Sequence, residues 1–113
     1  MALAAAVDEP LLRDQIAAVV VDAVCRCGCS SVRLRSVRQP ILAERITQLS
    51  STGRDDYFAV EATGRRPEQQ FVNVVLHVTH GRVGELEVFD AVEGVGVAVT
   101  LSDLTDLTEP TVS

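Results

Sequence analysis

The segment of residues 71–89 constrains the fold most, because apolar and polar residues alternate along it on both sides of a turn at His80-Gly81. A period of two is typical of a β-strand that buries one face. The positions on the apolar side of the pattern are Val72, Val74, Leu76, Val78, Gly84, Leu86 and Val88. Two such runs joined by a short turn that contains glycine predict an antiparallel hairpin.

The register of this hairpin depends on the length of its loop. A two-residue loop, His80-Gly81, would pair Leu76 with Glu85, which mixes the buried and the exposed faces. A three-residue loop, 79–81, keeps the faces apart and gives Gly81 the left-handed position that such a loop needs. The sequence therefore predicts the longer loop, with the pairs Val74–Leu86 and Val72–Val88.

Shorter patterns predict the other elements. Asp8 can cap a helix over residues 8–17, with Pro10 in its first turn. The β-branched run that follows favours a strand to about Arg26, and a single helix to Val24 is the alternative. Further strands are predicted at residues 32–35, 57–63 and 95–99, and a short helical turn at 102–107.

Residues 38–56 are the hardest part to interpret, because the helical spacing of Leu42, Ile46 and Leu49 extends over a short distance. The remaining patterns agree on a fold class. We expect an α+β protein, in which an antiparallel β-sheet of about five strands carries a short N-terminal helix packed on it.

Length and charge limit the classes of function. With 113 residues the chain is expected to form one domain, 1–113, with frayed ends at 1–7 and 109–113. The net charge of −6 disfavours binding to nucleic acids and to anionic membranes. The N-terminus lacks the basic region of a signal peptide, and the apolar run 16–24 is too short to span a bilayer. An odd number of cysteines also favours a reducing compartment, so a cytoplasmic location is expected.

The three cysteines are the first candidate site. Cys25, Cys27 and Cys29 alternate, so an extended backbone would point all three thiols the same way. Converging thiolates can hold zinc or Cu(I), with His77 or His80 as a fourth ligand, and a redox role is a further alternative. The spacing is not the paired C-x-x-C of structural zinc sites, and packing at a sheet end is the simpler interpretation. No cofactor is therefore expected, with zinc at these cysteines as the alternative.

The outward face of the hairpin is the second candidate site. In the predicted register His77 lies diagonal to Glu85, and an imidazole beside carboxylates can form a metal site or an acid/base pair. A solvated sheet face is the simpler interpretation. The mixture of apolar and polar residues also fits a ligand or protein contact. The residues of this face are Asn73, Val75, His77, Glu85, Glu87 and Phe89.

A set of arginines is a third candidate. Arg33, Arg35 and Arg38 can form a strip that binds anions. In an acidic chain, however, arginines more often pair with the protein's own carboxylates. The sequence alone therefore favours internal ion pairs.

Two motifs occur together in this chain. Residues 25–32 read CRCGCSSV, and residues 76–89 read LHVTHGRVGELEVF. In both motifs, CxCGCxSV and LHVxxGRxxELEVF, the chain resembles a group of small uncharacterised bacterial proteins from high-GC genomes. The resemblance covers roughly residues 19–105, with 38–56 as an insertion. It supports the fold and implies no chemistry, and proteins of this kind are also carried on mobile gene cassettes.

These observations predict a non-enzymatic binding or accessory protein that acts through its sheet face or a small apolar pocket, with no catalytic residue assigned. A thiolate metal-binding or redox protein is the alternative. A small enzyme that uses His77 with Glu85 or Glu87 is a second, weaker alternative. An uncovered sheet face or a long edge strand would favour self-association, so we also expect a homodimer, and a separate protein partner is a further alternative.

Overall fold

The computed structural model describes residues 7–24, 31–65, 71–90, 108 and 111–113. In these residues the chain forms two helices and six strands, which are α1 (Pro10–Ala17), β1 (Val20–Val24), β2 (Val32–Arg35), α2 (Ala43–Leu49), β3 (Tyr57–Arg65), β4 (Phe71–Thr79), β5 (Arg82–Asp90) and β6 (Thr111–Val112). The strands make one sheet in the order β1-β2-β5-β4-β3-β6, and all neighbours are antiparallel. The predicted α+β class, with a short N-terminal helix and an antiparallel sheet, is confirmed.

One face of the sheet carries the hydrophobic core. Alternate side chains of the strands pack there against both helices, with α1 beside β5 and α2 beside β3. Each fully buried Val, Leu, Ile or Phe contributes about 1.5–3 kcal/mol to folding. The largest of these core side chains are Phe58, Leu12, Ile46, Leu76, Val7, Val60, Val72, Val78 and Val88. Because both helices cover this face, the opposite face of the sheet is the one on which polar side chains collect.

The predicted register of the β4–β5 hairpin is wrong. The loop has two residues, His80 and Gly81, and both have positive φ angles, 52° and 83°. Positive φ at both central positions is the pattern of a type I′ turn, which matches the twist of the strands it joins. The observed pairs are Val72–Asp90, Val74–Val88 and Leu76–Leu86.

A bulge in β5 explains how the shorter loop keeps the faces apart. Gly84 is an extra residue on β5 and has no partner in the register. Val83 and Leu86 are consequently both buried in the core, although their separation of three would put them on opposite faces of a regular strand. The strict alternation assumed from the sequence stops at this glycine, and a glycine inside a strand often marks such a bulge.

A buried glutamine, which the sequence analysis did not identify, holds α1 against the hairpin turn. Gln15 is completely buried. Its amide nitrogen donates to the carbonyl oxygens of Gly81, at 2.7 Å, and Gln39, at 3.0 Å. Its amide oxygen accepts the backbone N–H of Val83 at 2.9 Å. The backbone N–H of Ile41 also donates to the Gly81 oxygen, so helix, loop and turn form one anchored unit.

The N-terminal elements agree with the prediction except at the helix cap. The N-cap of α1 is Glu9 rather than Asp8, and no side chain caps the helix there. Pro10 is the first helical residue, where its missing N–H costs nothing. The helix ends before β1, which pairs with β2 as a hairpin, so the alternative of one long helix is wrong.

The remaining segments agree only in part with the predicted secondary structure. Residues 38–56 contain α2, so the short helical spacing there indicated a real helix. Within 109–113, which the sequence analysis placed in a frayed end, Thr111 and Val112 pair with β3. The predicted strand at 95–99 and the helical turn at 102–107 lie outside the described residues. Among the described residues, neither helix has the length and hydropathy needed to cross a membrane.

Candidate functional site

Three ligating side chains meet on the sheet face that points away from the helices. His77 of β4 pairs directly with Glu85 of β5, and Glu87 follows two residues later on the same face. The sequence placed His77 diagonal to Glu85, and the bulge brings it directly opposite. Ligand atoms of these three side chains lie within 4.8 Å of one another. The histidine and the two carboxylates, which the sequence placed on one face, therefore lie close together, and Glu87 is the carboxylate that contacts His77.

A chain of two hydrogen bonds passes through the imidazole. The hydroxyl of Tyr57, on β3, lies 2.5 Å from Nδ1 of His77, and Nε2 lies 3.0 Å from Oε1 of Glu87. With a neutral ring, one arrangement satisfies both contacts when Glu87 is ionised. The tyrosine hydroxyl donates to Nδ1, and the Nε2–H donates to the carboxylate. Both ring nitrogens are thus engaged, and the ring orientation is set from both sides.

Tyr57 is itself held in place by residues that precede β3. The guanidinium of Arg54 lies over its ring, 5.3 Å from the centroid, and forms two hydrogen bonds with Asp56 at 2.9 and 3.2 Å. Burial raises the pKa of the Tyr57 hydroxyl, and the charge of Glu87 raises it further. The hydrogen bond from Arg54 lowers the pKa of Asp56. Tyr57 therefore stays a neutral hydrogen-bonding group at physiological pH.

The cluster opens into a depression of about 570 Å³ on the sheet face. Its lining spans four strands and the β5 bulge, and comprises Arg33, Leu34, Tyr57, His77, Thr79, Gly84, Glu85 and Glu87. Arg33 pairs with Glu85 in the strand register. Within the described part of the chain, neither of these two side chains forms an ion pair or a hydrogen bond. The depression thus contains a cation and an anion that remain free to contact a ligand.

The other predicted residues of this face do not join the cluster. Asn73 is engaged by Thr63, whose hydroxyl donates to its side-chain oxygen at 2.8 Å. Phe89 is half-buried opposite Asn73, and Val75 is only 6 % exposed. Val75 is therefore part of the packing of the sheet and offers little surface to a partner.

The three arginines that the sequence offered as an anion-binding strip, an alternative to internal ion pairs, do not form a single unit. Arg35 lies 3.8 Å from Asp22 of β1. The Arg38 backbone carbonyl accepts a hydrogen bond from Arg82. Of the three predicted arginines, Arg33 is the one that lines the depression. The cysteine site, Cys25, Cys27 and Cys29, lies outside the described residues and stays a prediction.

Tyr57 is a member of the site that the sequence did not indicate, whereas Arg33 was named in the arginine strip but not placed beside His77. Tyr57 precedes His77 by twenty residues and belongs to another strand. The signal that could have found it is the pairing of β3 with β4, which puts Ala59 opposite His77 and Tyr57 one diagonal away. That pairing cannot be read from the alternation of either strand alone.

The arrangement has two chemical uses. One imidazole and two carboxylates are ligands for a divalent transition metal, and the same groups can bind a small polar ligand directly or exchange protons with it. Comparisons of the chain with models of protein families, with curated proteins and with solved structures give no match. The resemblance to small bacterial proteins accordingly stays a prediction.

Proposed function

We propose that this protein is a non-enzymatic binding module that acts through the outward face of its sheet, and that it holds a divalent transition-metal ion at His77, Glu85 and Glu87. The observation that carries this proposal is the convergence of the three side chains, with their ligand atoms within 4.8 Å of one another. An imidazole nitrogen together with carboxylate oxygens is a ligand set that suits zinc and its neighbours.

The distances require only a small contraction. Ligand atoms around a tetrahedral zinc ion are about 3.4 Å apart, because each bond is about 2.1 Å long. The side chain of Glu87 is 41 % exposed, and Glu85 is also exposed, so both carboxylates can move towards the ion. His77 is held by its neighbours and needs to move least. Metal binding therefore requires movement mainly of the two carboxylates, which are the more mobile ligands.

The partner of the second ring nitrogen also suits a metal ligand. When Nε2 binds a cation, a neutral imidazole carries its proton on Nδ1, and this N–H needs an acceptor. The Tyr57 hydroxyl, 2.5 Å away, provides one. Glu87 exchanges its hydrogen bond with Nε2 for a bond to the ion. The observed chain of hydrogen bonds and the metal-bound state therefore differ by a proton shift and a carboxylate movement.

The same contacts set a condition on the enzymatic alternative. A general base needs a ring nitrogen that can take a proton from a substrate. Both nitrogens of His77 are already engaged, one by Tyr57 and one by Glu87. The enzyme that uses His77 with Glu85 or Glu87 remains the second candidate, and it requires a substrate that displaces Glu87 from Nε2.

The test measures zinc binding calorimetrically with untagged protein in which Cys25, Cys27 and Cys29 are changed to serine, so that thiols cannot contribute. We expect one zinc ion per chain. His77→Asn should weaken binding about 100-fold or more, since loss of an outer-shell partner alone costs 10–100-fold. His80→Asn is the matched control, because His80 is exposed and is the one other histidine in the chain. It should bind zinc unchanged.

The outcomes separate the proposed sites. Zinc binding by the unmodified chain that disappears in the thiol-free variant would refute the sheet-face site and support the cysteines. Equal losses in His77→Asn and His80→Asn would also contradict it. The cysteine alternative and the cytoplasmic location inferred from the odd cysteine count remain proposals that rest on the sequence.

We also infer that the protein forms a homodimer, and β1 supports this inference. This strand has a neighbour on one side only in the described sheet, and all five of its residues are exposed. The side chains of Val20, Val21 and Val24 are each more than half exposed. An apolar edge strand of this kind tends to pair with a second chain. Sedimentation of a single monomeric species at micromolar concentration would contradict the inference.

A further inference from the structure

We propose that the metal-loaded site binds a small oxyanion, a carboxylate or phosphate group, between the metal ion and the guanidinium of Arg33. This inference rests on the proposed metal site and names the ligand that the site would take. Its first support is the position of Arg33, which lines the same depression as His77, Glu85 and Glu87.

Arg33 forms no ion pair or side-chain hydrogen bond with any residue that the structure describes. It lies directly opposite Glu85 on the neighbouring strand, yet the two side chains do not form an ion pair in the described part of the chain. Arg35, two residues later on the same strand, approaches Asp22 to 3.8 Å. The planar fork of a guanidinium matches a carboxylate or phosphate in a two-bond contact. Arg33 is thus the arginine of β2 that is available to such a ligand.

The charge of the depression makes oxyanion binding depend on the metal. With its carboxylates ionised and His77 neutral, the depression contains two negative groups and the positive Arg33. This balance is negative by one charge and repels an anion. A divalent cation reverses the balance to positive by one charge. The structure therefore predicts that an oxyanion binds the metal-loaded protein and is rejected by the metal-free protein.

Coordination and space allow the additional ligand. Three protein ligands leave at least one position of a four-coordinate ion open, as in zinc sites that take substrate or water. The depression of about 570 Å³ is large enough for a small organic acid or a phosphate. An oxyanion can therefore place one oxygen on the metal and present the others to Arg33.

The experiment uses Co²⁺, whose visible absorption reports its ligands, in the chain with all three cysteines changed to serine. Succinate and inorganic phosphate are added in separate titrations, which shows whether a carboxylate or a phosphate is preferred. We expect a change in the cobalt spectrum that saturates. Arg33→Gln should weaken anion binding about tenfold or more, because it removes a charge-assisted contact. It should not weaken Co²⁺ binding, because Arg33 is not a ligand.

Arg35→Gln is the matched control, since Arg35 lies on the same strand outside the depression. It should leave the anion titration unchanged. Failure of the chain to bind Co²⁺ would overturn the metal site and this inference together. Co²⁺ binding without any response to either anion, or an equal response in Arg33→Gln, would overturn the anion site alone. Calorimetric binding of the anions to the metal-free chain with equal affinity would contradict the charge argument.

Discussion

Replacement of Gln15 by methionine tests whether one buried side chain anchors the hairpin that carries the site. Methionine keeps the length and helix propensity of glutamine and removes its hydrogen-bonding groups. The change leaves the backbone N–H of Val83 buried without its acceptor, and an unsatisfied buried group costs about 1–3 kcal/mol. The carbonyl oxygen of Gly81 keeps the N–H of Ile41, and Gln39 is exposed, so its carbonyl can turn to water.

We therefore expect Gln15→Met to lower the free energy of unfolding by about 2 kcal/mol, mostly through the Val83 N–H. For a domain of this size the melting temperature should fall by about 8 °C. Urea denaturation followed by circular dichroism measures the loss, and the slope of the transition should stay unchanged, which shows that the same surface is exposed on unfolding. Gln48→Met on the exposed side of α2 is the control and should cost less than about 0.5 kcal/mol. Equal stabilities of the two variants would refute the anchoring role of Gln15.

Two further predictions concern the turn and the tyrosine. Gly81→Ala should destabilise the protein by about 2 kcal/mol or more, because the new Cβ meets the backbone of Ile41 at a residue with a positive φ. Gly84→Ala is the control, since there is room for its Cβ, and it should cost less than about 0.5 kcal/mol. Urea denaturation of both variants measures the two losses of stability. The pKa of Tyr57 is raised by burial and by Glu87, so ultraviolet titration should show it ionising above the value of free tyrosine. Because the folded state retains this proton longer than the unfolded state, Tyr57 should contribute a loss of stability as the pH rises from about 10 through its folded pKa, and Tyr57→Phe should remove that contribution.

The fold was predictable where local pattern decides the structure. The alternation in 71–89 indicated the hairpin, and the β-branched run after α1 indicated β1. The register was not predictable in the same way, because it depends on a bulge at Gly84. The sequence shows a glycine there, but the choice between a two-residue loop with a bulge and a three-residue loop without one is made by packing. Val83 is buried in the core with the two-residue loop and the bulge, and it would lie on the outward face with the three-residue loop.

The site was predictable only in part, for a related reason. His77, Glu85 and Glu87 share a face in any register that keeps the hydrophobic side of the hairpin together. Tyr57 and Arg33 reach the site from strands that flank the hairpin in the sheet, so their contribution depends on the order of the strands. Nothing in the local alternation determines that order. Pairing between strands distant in sequence therefore brings in both Tyr57, the hydrogen-bond partner of His77, and Arg33, the cation of the depression.

The bulge connects the stability of the fold with the chemistry of the site. Val83 follows the two-residue turn and is buried in the core. In a regular strand Glu85 and Glu87 would share its face, and two carboxylates would enter the core at a large desolvation cost. The extra residue, Gly84, turns both carboxylates to the outward face, beside His77. The feature that removes charge from the core is thus the same one that assembles the proposed metal ligands, and selection for a stable hairpin would keep this geometry.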